Sequence, residues 1–173
     1  MYASLYLSIE EVPNHIRLSA IDLISRMHRE LAKDLETDVE KLKNLLAREY
    51  RRDLDPIARS MLPKALEICY LNSGYQVEDN DPDSLKAMLA FMSKLIEDEA
   101  QALISGDLKK AYNLRKTQLR FINTHLKPFI EEAVKSMNSK ALTLIKDIID
   151  NDIEYLKESL INPLKPPKWI FLK

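Results

Sequence analysis

Asp81-Pro82-Asp83-Ser84-Leu85-Lys86-Ala87-Met88-Leu89-Ala90-Phe91-Met92 is the stretch on which the fold turns. Asp81 is a good N-cap and Pro82 a good first helical residue, so a helix is predicted to start there. Leu85, Met88, Leu89, Met92, Leu95, Ile96, Ala100 and Leu103 then recur at steps of three and four, which places them on one helical face. Ser105-Gly106-Asp107 predicts a stop and a new start, because Gly takes the left-handed conformation past a helix end and Asp caps the next. The second helix carries an apolar stripe of Ala111, Leu114, Phe121, Ile122 and Leu126. Gln118 and His125 interrupt it, seven residues apart and two turns along one face. Polar groups on a core-facing stripe need partners. They form either a buried hydrogen-bond pair joining this helix to the loop or to a neighbouring helix, or a polar contact at the floor of a binding groove.

Outward from this centre the pattern stays helical. A first long helix is predicted from Asn14 to about Leu35, with Ile21, Ile24, His28, Leu31 and Leu35 on one face. Thr37-Asp38-Val39-Glu40 reads as a capping box opening a second helix, with Val39, Leu42, Leu46 and Tyr50 inward. Lys41, Lys43, Arg48, Arg51 and Arg52 form its solvated basic face. Asp55-Pro56 opens a third, through Ile57, Met61, Leu66 and Cys69 to Gly74, with a kink or break expected near Leu62 because Pro63 lies inside it. Pro128 bends or closes the helix that carries His125. A last helix from Ile130 to Leu160 is long enough that a break near Asn138-Ser139 or Asp150-Asn151-Asp152 is expected.

The chain is thus expected to be all-α: one helical-bundle domain of five to seven helices over 1–162, followed by a Pro-rich apolar tail, 163–173. Trp169 and Phe171 in that tail are expected to fold back on the body or to dock on a neighbouring chain. The 173 residues suffice for one well-buried core. Two glycines and an abundance of Leu, Ile, Lys, Glu and Ala favour helix. A net charge of −1 gives no basic surface for nucleic acid. No apolar run approaches the ~20 residues that cross a bilayer, so no membrane insertion is expected. The N-terminus lacks a secretory pattern, and a single cysteine fits a reducing compartment; the expected location is the cytoplasm.

Catalytic chemistry finds little support. No Glu-x-x-His pair is available for a di-metal carboxylate site, since Val12, Ser25 and Ile122 stand three before His15, His28 and His125. Gly74 and Gly106 are too few for a phosphate loop, and no Cys/His cluster has zinc spacing. The expectation is a non-enzymatic binding protein without a cofactor.

Residues 49–129 resemble the TorD/DmsD/NarJ family of redox-enzyme maturation chaperones. The likeness is carried by Glu49-Tyr50-Arg51-Arg52-Asp53-Leu54, by Tyr70-Leu71-Asn72-Ser73-Gly74, and by Asp81-Pro82-Asp83-Ser84-Leu85 with Met88-Leu89-Ala90-Phe91-Met92. Gly106-Asp107 and the series Gln118, Phe121, Ile122, His125, Leu126, Pro128, Phe129 complete it. Ser84 and Phe129 stand where the family usually has His and Trp, and the Pro-Asp spacing is closer to the NarJ-like branch. The resemblance implies a cytoplasmic helical chaperone, monomer or homodimer. It would bind the twin-arginine-type signal peptide and the apoprotein of a molybdenum- or tungsten-cofactor oxidoreductase.

The residues themselves suit that role. Glu78, Asp79, Asp81 and Asp83 put four carboxylates into six positions, and a carboxylate accepts both arms of an arginine fork. Acidic residues also simply favour a helix N-terminus. The expected peptide site comprises Asp79, Asp81, Pro82, Asp83, Ser84, Leu85, Met88, Gln118, Phe121 and His125, its apolar floor made by exposed members of the Leu85–Met92 face. The rival expectation is a helical structural or adaptor subunit of a stable complex.

Overall fold

The computed structural model describes residues 1–10, 12–77 and 80–162. Nine α-helices occur among the described residues: α1 Tyr2–Ile9, α2 Asn14–Met27, α3 Arg29–Lys43, α4 Ala47–Tyr50, α5 Pro56–Asn72, α6 Leu85–Ile104, α7 Leu108–Phe121, α8 Lys127–Ser136 and α9 Lys140–Ile161. No named strand occurs among them; one isolated antiparallel bridge joins Leu46 to Ser84. The all-α expectation holds, with more helices than foreseen.

The extra helices have local causes. Helix α1 was not expected; it buries Tyr2, Leu5 and Ile9 and packs on α6. The long first helix ends early, because His28 leaves the helical region at φ −146° and ψ 80°, with neither Gly nor Pro to mark the place. Helix α3 therefore already runs through 37–40, and the Thr37 hydroxyl donates to the Lys33 carbonyl at 3.0 Å instead of capping a new helix. That Asp38 serves elsewhere: it accepts from the Ser139 hydroxyl at 2.6 Å and ties α3 to the start of α9. The predicted break near Asn138-Ser139 is present, between α8 and α9, and Ser139 caps α9.

Helix α6 is the axis of the bundle. Leu85, Met88, Leu89, Phe91, Met92 and Leu95 are all buried, against α1, α3 and α7. Ser105-Gly106-Asp107 turns the chain as predicted, Gly106 taking φ +78° and Asp107 accepting from the Lys110 amide at 2.9 Å. Helix α5 starts at the Asp55 cap and runs through Pro63 as one helix, so of the kink or break expected there the break is absent. Tyr70 from α5 meets Phe91 of α6 at 4.7 Å between ring centroids, and Phe91 meets Phe121 of α7 at 4.8 Å. Aromatic pairs at such offsets add about 0.5–1.5 kcal/mol each beyond burial.

Pro128 neither closes nor breaks its helix. A π turn over Ile122–Leu126 carries α7 into α8. Proline has no N–H for the carbonyl four residues back, that of Thr124, and Arg51 Nη1 donates to this oxygen at 3.2 Å.

Candidate functional site

The acidic loop enters the bundle by its own backbone. The Ala47 amide donates to the Asp83 carbonyl at 2.8 Å, and the Leu85 amide to the Leu45 carbonyl at 2.9 Å. Tyr70 donates its hydroxyl to the Pro82 carbonyl at 2.8 Å, setting the loop against the last turns of α5. The helix cap is Ser84, whose hydroxyl oxygen accepts from the Ala87 amide at 3.0 Å. Asp81 and Pro82 therefore lie outside the helix, which corrects the predicted start. Asp81 and Asp83 are bonded to Arg48 instead of capping the helix.

Arg48 explains where the carboxylates go. Asp83 is fully buried and accepts from the Arg48 amide at 2.9 Å and from Arg48 Nη1 at 2.7 Å. Asp81, at the surface, accepts from Arg48 Nη2 at 2.6 Å. Burial pushes the Asp83 carboxyl above its usual range, against the pull of Arg48. Arg51 is buried as well, its fork bonded to Asp53 at 2.8 Å through both Nε and Nη2. Two of the five bases read as a solvated face are thus structural, because the tertiary fold supplies them with acceptors that sequence spacing does not reveal.

Leu85, Met88 and Phe121 are buried in the core, so no exposed floor is made by the Leu85–Met92 face. Asp79 lies outside the described residues. Gln118 and His125 do not meet. The π turn between them holds an extra residue, so seven positions no longer make two turns. Gln118 donates to Glu99 Oε2 at 2.7 Å, joining α7 to α6, and Glu99 also accepts from Arg115 Nε at 2.6 Å. His125 packs against Phe121, ring centroids 5.4 Å apart and planes tilted by 44°, and its buried Nδ1 has no protein partner.

Burial, with the nearby charges of Arg51 and Arg120, lowers the His125 pKa to about 4. A histidine kept neutral by folding contributes stability that is complete above pH 6.5 and is lost as pH falls through 4. The loss across that window should be about 2 kcal/mol after allowance for the ring's partial exposure. Urea melts from pH 7 to pH 4 check it: His125→Gln should flatten the slope between 6.5 and 4, and an unchanged slope would clear His125 of any part in it.

The feature that sequence reading missed is the outer face of α5. Ile57, Met61, Ile68 and Leu71 are 77%, 57%, 48% and 54% exposed, at helical spacing along one side, with Ala65 between them. Leu62, Leu66 and Tyr70 form the buried side. Of the apolar residues named for this helix, Ile57 and Met61 thus lie on the exposed side and Leu66 on the buried one. The signal was present: α5 carries two apolar stripes, and one helix lying on a bundle buries only one.

Residues 57–135, somewhat less than half of the chain, match the family model of the nitrate reductase delta subunit. The match begins with α5 and ends in α8, taking in the loop, α6, α7 and the π turn. Over that segment the chain is similar to the TorD/NarJ-like family, in line with the resemblance of its motifs. That family consists of redox-enzyme maturation chaperones, and the match supports a part in molybdoenzyme assembly. No helix of the described residues is long and apolar enough to cross a membrane.

Proposed function

We propose that this TorD/NarJ-like chain acts in the cytoplasm by holding the N-terminal, twin-arginine-type signal peptide of a molybdenum- or tungsten-cofactor oxidoreductase until the cofactor is in place. The observation that carries this reading is the exposed apolar face of α5. From Ile57 to Leu71 it spans about 21 Å at the helical rise, long enough for the apolar run of a leader. Its C-terminal end carries the negative end of the helix dipole and abuts the acidic loop, which suits a basic pair ahead of that run. In this arrangement Asp79 and Asp81 receive the arginines, and Asp83 positions the loop by holding Arg48. His125, Gln118 and Phe121 support the π turn and the aromatic cluster behind Tyr70.

The test is a calorimetric titration with a peptide bearing two arginines and an apolar run. Burial of one Ile or Leu is worth about 1.5–3 kcal/mol. Ile68→Asp together with Leu71→Asp should therefore weaken binding at least about tenfold. Both positions are exposed, so the fold should lose only the cost of acids near a helix C-terminus, about 0.3–1 kcal/mol each. Equal affinity for the wild type and the double variant would sink the α5 assignment.

A further inference from the structure

A second apolar patch lies at the other end of the bundle. Ile104, at the last turn of α6, is 79% exposed, and Leu108, across the Gly106 turn, is 54% exposed. Tyr112 follows one turn further along α7 and is also exposed. The patch sits where α9 runs out. Arg115 Nη1 donates to the Ser159 carbonyl at 3.4 Å, so the end of α9 lies level with Arg115. Lys127 of α8 pairs with Asp150 of α9, so α9 runs antiparallel to the α7–α8 rod. Leu108, Ala111 and Arg115 share a face of α7 by their spacing of three and four; Ala111 and Arg115 are buried, while Leu108, nearer the end, is not. The last described residues, Ile161 and Asn162, therefore lie toward the Leu108 and Ile104 end of α7.

We infer that the tail of this same chain, residues 163–173, covers the Ile104–Leu108–Tyr112 patch, with Trp169 and Phe171 as its anchors. The reach is ample: seven residues from Pro163 to Trp169 span about 20 Å when extended, against about 6 Å of helix from Tyr112 to Leu108. Pro163, Pro166 and Pro167 favour extended backbone and reduce the entropy lost on docking. The chemistry matches too, because Trp169-Ile170-Phe171-Leu172 is a continuous apolar run. Charge gives no help: Lys109, Lys110 and Lys116 border the patch, and Lys165, Lys168 and Lys173 belong to the tail. Apolar burial must carry the contact, so added salt should tighten it by screening like charges.

Trp169 is the only tryptophan, so its fluorescence reports the tail alone. In the full chain its emission should be blue-shifted, protected from acrylamide, independent of protein concentration, and no less protected at high salt. Ile104→Asp with Leu108→Asp should shift the emission to the red and raise quenching to the level of a free tryptophan peptide, with the far-ultraviolet circular dichroism unchanged. The matching pair Ile57→Asp with Ile68→Asp, on α5, should leave Trp169 as it was. The inference is overturned if Trp169 is fully quenched in the wild type or if the first pair leaves its emission unaltered. It is also overturned if the α5 pair exposes Trp169, or if protection vanishes on dilution, which would make a second copy the occupant.

Discussion

Glu99→Ala should cost about 3–5 kcal/mol of stability, the effect of breaking a buried ion pair by removing one member. Glu99, Arg115 and Gln118 are all buried, on α6 and α7, and Arg115 also reaches the Ser159 carbonyl on α9. Removing the carboxylate takes an acceptor at 2.6 Å from the Arg115 guanidinium and one at 2.7 Å from Gln118. A domain of this size has about 5–15 kcal/mol in total, so the variant should be marginal at room temperature. Glu99→Leu combined with Arg115→Met should recover most of the loss, because a shape-filling apolar pair avoids the desolvation penalty of two ions. Urea denaturation of the single and double variants measures both. If Glu99→Ala melts with the wild type, the network carries no stability and its burial needs another explanation.

Asp83→Asn should lower stability by about 2–3 kcal/mol, the usual worth of hydrogen bonds to a buried charge. That corresponds to a fall of roughly 5–10 °C in melting temperature for a chain of this length. The carboxylate holds both the amide and the side chain of Arg48, and its neighbouring backbone forms the bridge that pins α4 to the start of α6. Asp81→Asn provides the contrast. Its bond to Arg48 is at the surface, where such pairs are worth about 0–1 kcal/mol, so the fold should hardly notice. Under the proposed function it is Asp81→Asn that should weaken a two-arginine peptide while leaving the melting curve in place. A variant pair with the opposite pattern would move the arginine site away from Asp81.

Much of the fold was legible because helix signals are local. The α6 stripe, the Gly106 turn with its Asp107 cap, the Asp55-Pro56 start and the break before Ser139 each depend on residues a few positions apart. The errors have the same origin. His28 breaks a helix without any local marker, and Pro63 sits in α5 without breaking it, because packing overrides propensity there. At the site, the π turn at Ile122–Leu126 dissolved the predicted Gln118–His125 relation by changing the phase of the helix.

Composition, periodicity and motif order by themselves determined the all-helical class, several helix ends such as the Asp55-Pro56 start and the Gly106 turn, and which family the chain resembles. Tertiary structure alone decided which groups are available to a partner. Arg48 and Asp83 are 35 residues apart in sequence, and no spacing rule pairs them, yet their contact converts half of an acidic loop into a structural clamp. Two apolar stripes on α5 look alike in one dimension; only the arrangement of neighbouring helices chooses which is core and which faces solvent. Burial is a property of the assembled bundle, and binding capacity is what burial leaves over.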